Sequence, residues 1–437
     1  MDEDRLSELP DSLILSILSL LATREVVRTT ILSKRWKNRW TTVPCLHFRL
    51  PFSRGLWVES SKFVSGALAQ WKGANILDFT LFLSADNRLI PSTDIDSWLL
   101  FAIEKQVEKL TFGFAAKLHG AFFLPQSLYS CSSITKLSLH NCSFKIERNV
   151  QWNNLKSLKL VTWDGSRLLS GDAMNQILVG APRLRKLILR SFEFTENFNF
   201  RSNSLLILQI IECNLKAEAE LRIWAPNLSS LVISGLVCGG CLLYVPSLIT
   251  ATLSFKDLSG EFGEIDREDM PPLEMFHQVF RSIRHVEYVS LEYWSIQFLV
   301  EMKENDMLVQ FPNAEFLKLE FYSYRVTDIL AVLGMFPKLE MLIVRQYDYM
   351  YESVASEMAS LSPSLLHLET VEIYIHDEEF SISPLVEYVL ENADVLEEMV
   401  LQPYRGRDDQ ESFILDLKKL LGMRRSSPYA KVIVNEK

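Results

Sequence analysis

A short apolar cassette of the form L-x-x-L-x-L recurs along most of this chain and narrows its fold further than any other feature. It is spelled Val107/Leu110/Phe112, Ile134/Leu137/Leu139, Leu155/Leu158/Leu160, Leu184/Leu187/Leu189 and Leu205/Leu208/Ile210. It continues as Leu228/Leu231/Ile233, Leu248/Ala251/Leu253, Val286/Val289/Leu291, Ala314/Leu317/Leu319, Leu339/Leu342/Val344 and Leu368/Val371/Ile373. The second half of each cassette alternates as a strand does, and residues 76–83 read as an initial strand of the same series. Most cassettes return after roughly 20 to 30 residues, a repeat period. A unit of one strand and one returning segment cannot close its own apolar layer, so the predicted fold is α/β, with neighbouring units stacked to make a continuous core.

If the cassette residues point into that core, the residue between the last two and the one just after them face the other way. This nominates Ser138, His140, Lys159, Val161, Ile188, Arg190, Gln209, Ile211, Val232 and Ser234 in the first half. In the second half it nominates Ser290, Glu292, Lys318, Glu320, Ile343, Arg345, Glu372 and Tyr374. The set is mixed in sign, which suits a protein epitope better than a polyanion. A net charge of -10 over 437 residues gives no general drive toward nucleic acid either.

Before the repeats, Leu13, Ile14, Ile17, Leu18 and Leu21 follow the spacing of an amphipathic helix opened by Pro10. Thr23 is placed to cap a second helix with Val26, Val27 and Ile31, and Ser33 a third through Lys34, Arg35, Trp36 and Trp40. Three helices in about 35 residues are too small a unit to bury their own apolar faces. The spelling Leu9-Pro10-Asp11, Ile14, Ile17-Leu18, Leu32-Ser33-Lys34-Arg35-Trp36 and Trp40 resembles a plant-type F-box. That resemblance implies a Skp-type adaptor docked on Leu9, Pro10, Ile14, Ile17, Leu18, Leu32 and Trp36, with cullin and RING subunits of a ubiquitin ligase beyond it.

The repeat period is that of leucine-rich repeats, and Asn141-Cys142 and Cys213-Asn214 stand where that family often places Asn or Cys to bond the turn backbone. Their irregularity resembles plant F-box leucine-rich-repeat proteins. Residues 389–399, VLENADVLEEM, look like the FBD region such proteins carry at their C-terminus, although Pro428-Tyr429-Ala430 replaces a frequent Cys before the last strand. The expected organisation is an F-box over 1–45, a helical connector over 46–75, an irregular leucine-rich-repeat solenoid over 76–360 and a capping FBD α/β segment over 361–437. Residues 257–272, rich in Gly, Pro and acids, read as a solvated acidic insertion, and a further helix is expected over 413–422.

No motif for chemistry is present. There is no G-x-S-x-G, no phosphate-binding glycine loop and no H-E-x-x-H, and the seven histidines are scattered singly. Cys238 and Cys241 form one C-x-x-C without a second ligand pair, which reads as a turn with thiols rather than zinc. No catalytic residue, metal or cofactor is therefore expected. Met1-Asp2-Glu3-Asp4 lacks the basic start of a signal peptide, and residues 12–22 are too short to span a bilayer. The cysteines are expected to stay reduced, in cytoplasm or nucleus, with neither membrane nor nucleic acid as partner.

The resemblance thus implies a non-catalytic receptor that holds a protein substrate for a ubiquitin ligase. A non-degradative scaffold and a small-molecule receptor on the same repeats are the alternatives. Tyr322, Tyr324, Arg345, Tyr347 and Tyr349 are the candidate substrate contacts, because equivalent loops of stacked repeats lie side by side and aromatics anchor interfaces. The competing reading packs these rings under their loops.

Overall fold

The computed structural model describes residues 9–32, 35–50, 57–84, 92–115, 121–163, 169–194, 196–215, 219–235, 240–255, 273–321, 325–346, 363, 365–375, 383–403 and 422–434. The chain divides into two compact units, Met1–Leu205 and Leu206–Lys437.

The first unit begins with helices α1 (Asp11–Leu18) and α2 (Thr23–Arg28). The segment after α2 differs from the predicted third helix. Residues 29–31 and 39–42 are single 3-10 turns, residues 35–38 are turn, and Ser33 and Lys34 lie outside the described residues. The cause is a cross-chain tie. Arg35 donates to the Leu9 carbonyl at 2.6 Å and to Asp11 Oδ1 at 2.7 Å, while Arg39 meets Asp11 Oδ2 at 2.5 Å. Two guanidinium groups on one carboxylate hold the segment in a turn and keep the Asp11 carboxyl below its usual range, through the Arg35 hydrogen bond first. Thr23 is likewise the first residue of α2 rather than its cap, because its Oγ1 accepts the backbone N–H of His47 at 2.7 Å.

The sheet of this unit starts earlier than the cassettes suggest. Strand β1 (Cys45–Leu50) begins at the last residue of the expected F-box, runs into the expected connector and pairs in parallel with β2 (Asp78–Leu83). The helix expected there is α3 (Trp57–Gln70), which links the two strands. Strands β3 (Lys109–Phe114), β4 (Lys136–His140), β5 (Ser157–Val161) and β6 (Lys186–Arg190) succeed them in chain order, all parallel. Between them run α4 (Ser92–Glu104), α5 (Gln126–Tyr129) and α6 (Gly171–Gly180), and beyond β6 come short strands β7 (Glu193–Phe194) and β8 (Phe198–Arg201). Helix α4 buries Ile95, Trp98, Leu99 and Ala102, the i, i+3, i+4, i+7 set of one helical face.

In the second unit β9 (Ile207–Ile211), β12 (Ser230–Ser234) and β14 (Thr250–Phe255) are joined by β15 (Tyr288–Tyr293), β16 (Phe316–Phe321) and β17 (Met341–Gln346). The parallel ladder continues through β18 (Thr370–Ile375), β19 (Glu398–Pro403) and β20 (Lys431–Val434), so the C-terminal segment extends the same sheet. Helices α7 (Leu273–Ile283), α8 (Trp294–Glu304), α9 (Val326–Leu333) and α10 (Ser383–Asn392) return between strands. Short β10 (Asn214–Leu215) and the parallel pair β11 (Glu220–Trp224) and β13 (Gly240–Tyr244) complete the unit. The acidic stretch 257–272, the helix expected over 413–422 except Gly422, and Cys238 lie outside the described residues.

Register explains the cassettes. Leu110, Leu137, Leu158 and Leu187 sit opposite one another on consecutive strands, as do Phe112, Leu139, Leu160 and Leu189. The second unit repeats this with Leu208, Leu231, Ala251, Val289, Leu317, Leu342, Val371 and Met399. All of these positions are buried, and each aliphatic side chain so removed from water contributes about 1.5–3 kcal/mol. Val43, Leu46 and Phe48 prove to be a cassette of the same form.

The turn after a strand is fixed by a left-handed residue at Asn141, Ser191, Glu212 and Gly235, with φ of 56, 60, 53 and 78°. Asn141 is buried. Its Nδ2 donates to the Phe114 carbonyl at 3.0 Å and its Oδ1 accepts the Trp163 N–H at 3.0 Å, so one side chain ties together three successive repeats. Cys142 and Cys213 each direct Sγ to the carbonyl of the last strand residue at 3.4 Å. Asn141→Ala should therefore cost about 2–3 kcal/mol, because it removes one of the two hydrogen bonds on the Phe114 carbonyl and the acceptor of the half-buried Trp163 N–H, and keeps a positive φ that alanine disfavours. Urea unfolding followed by circular dichroism measures it, and a loss under about 0.5 kcal/mol would contradict the tie.

Candidate functional site

Two surfaces of the molecule present side chains that the core does not use. The first is the outer side of α1 and the turn after α2. Helix α1 is apolar nearly all round, so it cannot satisfy every side with one core. Ile14 and Leu18 turn inward and are fully buried, and Val26, Trp36 and Trp40 are buried with them. Leu13 and Ile17 face out at 49% and 40% exposure, and Leu20, Ile31 and Leu32 are more exposed still. Pro10 is exposed and Leu9 is half-buried.

This sorts the seven residues that the F-box resemblance assigns to adaptor docking. Pro10, Ile17 and Leu32 are on the surface, and Leu9 lies at its edge. Ile14, Leu18 and Trp36 stand inside the unit, where they shape the helix pair rather than present themselves. Leu13, Leu20 and Ile31 belong with the outward set although the resemblance does not select them. The signal was the apolar residues on the side of α1 opposite its core stripe.

The second surface is the sheet face opposite the core. In the first unit His140 is its most constrained member. Its Nε2 lies 3.0 Å from Ser138 Oγ, and its ring meets Phe82 edge-on at 5.4 Å and stacks on Trp163 at 6.3 Å. Gly113 makes room for it, since a Cβ there would lie 2.4 Å from both His140 Cβ and its carbonyl oxygen. Trp163 is 55% exposed yet fixed, its indole N–H donating to the Phe114 carbonyl at 3.0 Å.

Burial, and then the charge of Lys159, hold the His140 imidazole down at about 4. A folded-state value below the unfolded one means that the neutral ring contributes stability above about pH 6.5, lost as pH falls through about 4. Allowing for the ring's partial exposure, wild type should lose about 2 kcal/mol more than His140→Asn between pH 7 and pH 4. Paired urea titrations of the two proteins at both pH values measure this, and equal losses would refute it.

In the second unit the same face carries a charged network across β16 to β18. Glu320 is 8% exposed, forms an ion pair with Lys318, and accepts from Arg345 Nη1 at 3.4 Å. The Arg345 guanidinium lies 4.5 Å from the Tyr374 ring centroid, and the Tyr374 hydroxyl donates to Glu372 at 3.2 Å. Arg345 thus belongs to a platform of its own. Tyr322, Tyr324, Tyr347 and Tyr349, expected beside it, lie outside the described residues. Phe321, the last residue of β16, is buried. Among the described residues no group of three or more His, Cys, Asp or Glu side chains is arranged to hold a metal ion, and no helix is long and apolar enough to cross a membrane.

The F-box domain model matches residues 6–48, and the leucine-rich-repeat model of FBD-associated F-box proteins matches residues 95–243. FBD-associated F-box protein At5g22730 of Arabidopsis thaliana is 27% identical over 451 residues, covering 99% of this chain and 94% of the relative. F-box/FBD/LRR-repeat protein At5g44980 of the same plant is 25% identical over 453 residues, with 99% of each chain covered. A putative FBD-associated F-box protein, At5g56440, reaches 32% identity over 262 residues, 58% of this chain and 60% of its own length. The chain is a plant F-box/leucine-rich-repeat protein with an FBD region.

An F-box implies a Skp-type adaptor as partner, and F-box/leucine-rich-repeat proteins are in general non-catalytic. The matched F-box segment extends to residue 48 and so into β1 (Cys45–Leu50), and the two overlap in sequence.

Proposed function

We propose that this protein is the substrate receptor of an SCF-type ubiquitin ligase. The observation that carries the reading is the amino-terminal helical unit, folded on its own buried residues yet leaving Leu13, Ile17, Leu20, Ile31 and Leu32 in solvent. An apolar patch of that kind on a small helical unit marks a protein interface. The adaptor would cover it, cullin and RING subunits would join through the adaptor, and the open face of the repeats would hold a protein substrate. Such a receptor acts by proximity, raising the local concentration of substrate at the transfer machinery without chemistry of its own.

Mixing the full chain with a purified plant Skp-type adaptor tests the first half of this reading. A one-to-one complex at micromolar concentration in gel filtration is expected, and two separate peaks would sink the proposal. Ubiquitin transfer to a captured protein, dependent on residues 9–42, separates a degradative receptor from a scaffold that only binds adaptor.

A further inference from the structure

Parallel register brings together residues far apart in sequence on the open face of the first unit. On its first row Cys45, Asp78, Lys109, Lys136, Ser157 and Lys186 stand side by side, on its second Lys159 is paired with Ser138, and on its third lie Arg49 and Arg190. Six cations therefore share six strands with one carboxylate, Asp78, in a chain whose net charge is -10. Asp78 Oδ1 lies 3.6 Å from His47 Nε2. Among the described residues no carboxylate pairs with Lys109, Lys136, Lys159 or Lys186.

Neighbouring parallel strands are about 4.8 Å apart, so Lys109 and Lys136, directly opposed, repel each other. Such like-charge neighbours oppose folding slightly, and nothing in the core requires them. Two further cations, Lys156 and Arg185, are exposed where the chain leads into β5 and β6, against Glu108 at the lead-in to β3. At the other end of the face stands Trp163, exposed and fixed in place by its indole hydrogen bond, over the Phe82–His140 pair. The second unit differs, since its corresponding rows carry Glu292, Glu320, Glu372 and Glu398 against Lys318, Arg345 and Lys431.

We infer that the open face of β1–β6 is a docking surface for an acidic, extended protein segment bearing one bulky apolar side chain that packs against Trp163. The partner's sign follows from charge complementarity. Its extended form follows from the width of the face, about 24 Å across six strands, which a run of seven or eight extended residues spans. This deepens the receptor reading by naming the class of substrate segment, and it rests on that reading.

The test uses the full chain and a fluorescein-labelled twelve-residue peptide of Glu, Asp and Ser with one central Phe. Binding by anisotropy is expected at low salt and should weaken steeply as salt is raised. The Lys109→Glu, Lys136→Glu, Lys159→Glu triple variant should lose about tenfold or more in affinity, and Trp163→Ala about fivefold, while Lys431→Glu on β20 binds as wild type. Unchanged thermal melting shows that the variants are folded. Absence of peptide binding, wild-type affinity in the triple variant, or equal affinity for a Lys/Arg peptide of the same length would each overturn the inference. So would tighter binding of a twelve-nucleotide single-stranded DNA, which would make the face a general polyanion site. Adaptor capture is measured on the same preparations. Peptide binding without adaptor capture defeats the receptor reading alone, and adaptor capture without peptide binding defeats this inference alone.

Discussion

The double variant Ile17→Asp, Leu32→Asp should lose at least about a hundredfold in affinity for a Skp-type adaptor while melting within a few degrees of wild type. Both side chains already stand in water, at 40% and 57% exposure, so charging them removes little from the fold. At an interface each would bury a carboxylate in place of an aliphatic anchor, and two anchors at about 2 kcal/mol apiece compound to more than a hundredfold. Ile14→Ala should behave in the opposite way. Ile14 is fully buried, and its truncation should cost the helical unit about 2–5 kcal/mol, so that capture fails through unfolding. Calorimetric titration together with thermal melting of all three proteins separates these outcomes. Wild-type affinity in the double variant would remove α1 and the adjoining turn from the docking face.

Gly113→Ala should be among the most damaging single-methyl changes in the chain, at about 2–4 kcal/mol. The new Cβ would lie 2.4 Å from both Cβ and the carbonyl oxygen of His140, and backbone cannot step aside as the tip of a flexible side chain can. The strand β4 would have to move away from β3, taking with it the Ser138–His140 contact and the support beneath Trp163. Gly66→Ala is the matched control. It lies inside α3 with nothing within 4 Å of its would-be Cβ, so it should stabilise by about 0.5–1 kcal/mol through the reduced backbone entropy of alanine. Denaturant midpoints for the pair give the comparison, and similar shifts of the same sign would contradict the geometry.

The cassettes were legible because a strand buried on one face declares itself by alternation, and every triad read from the sequence is buried. The same rule would have found Val43, Leu46 and Phe48, but Pro44 and Pro51 bracket that strand and read as loop. Its pairing with β2, beyond a 14-residue helix, is a long-range fact. The third helix failed for a related reason. Local propensity favours helix over 33–40, and the competing force is a carboxylate 24 and 28 residues back in the chain.

At the candidate sites residue types were readable in advance, but the sides they face were not. Helical periodicity placed Ile14 and Ile17 in one apolar stripe, whereas the core takes the first and leaves the second. The basic face stayed hidden because Lys109, Lys136 and Lys186 precede the alternating positions used to select outward residues, and only register lines them up. His140 was selected, but the burial that keeps it neutral depends on Gly113, Phe82 and Trp163 from three other repeats.

Thr23 takes the backbone N–H of His47, Arg24 lies 5.2 Å from the Phe63 ring centroid, and Lys72 donates to the Thr41 carbonyl at 2.7 Å. The helices that would meet the adaptor are therefore fastened to the first strand and to the helix behind it, with no loose tether between. A protein gripped on β1–β6 would then sit at one set stand-off from whatever holds α1, like an object clamped to a ruler. Which of its lysines receive ubiquitin would be decided by reach, and lengthening this junction by a few residues would redraw that choice without altering either grip.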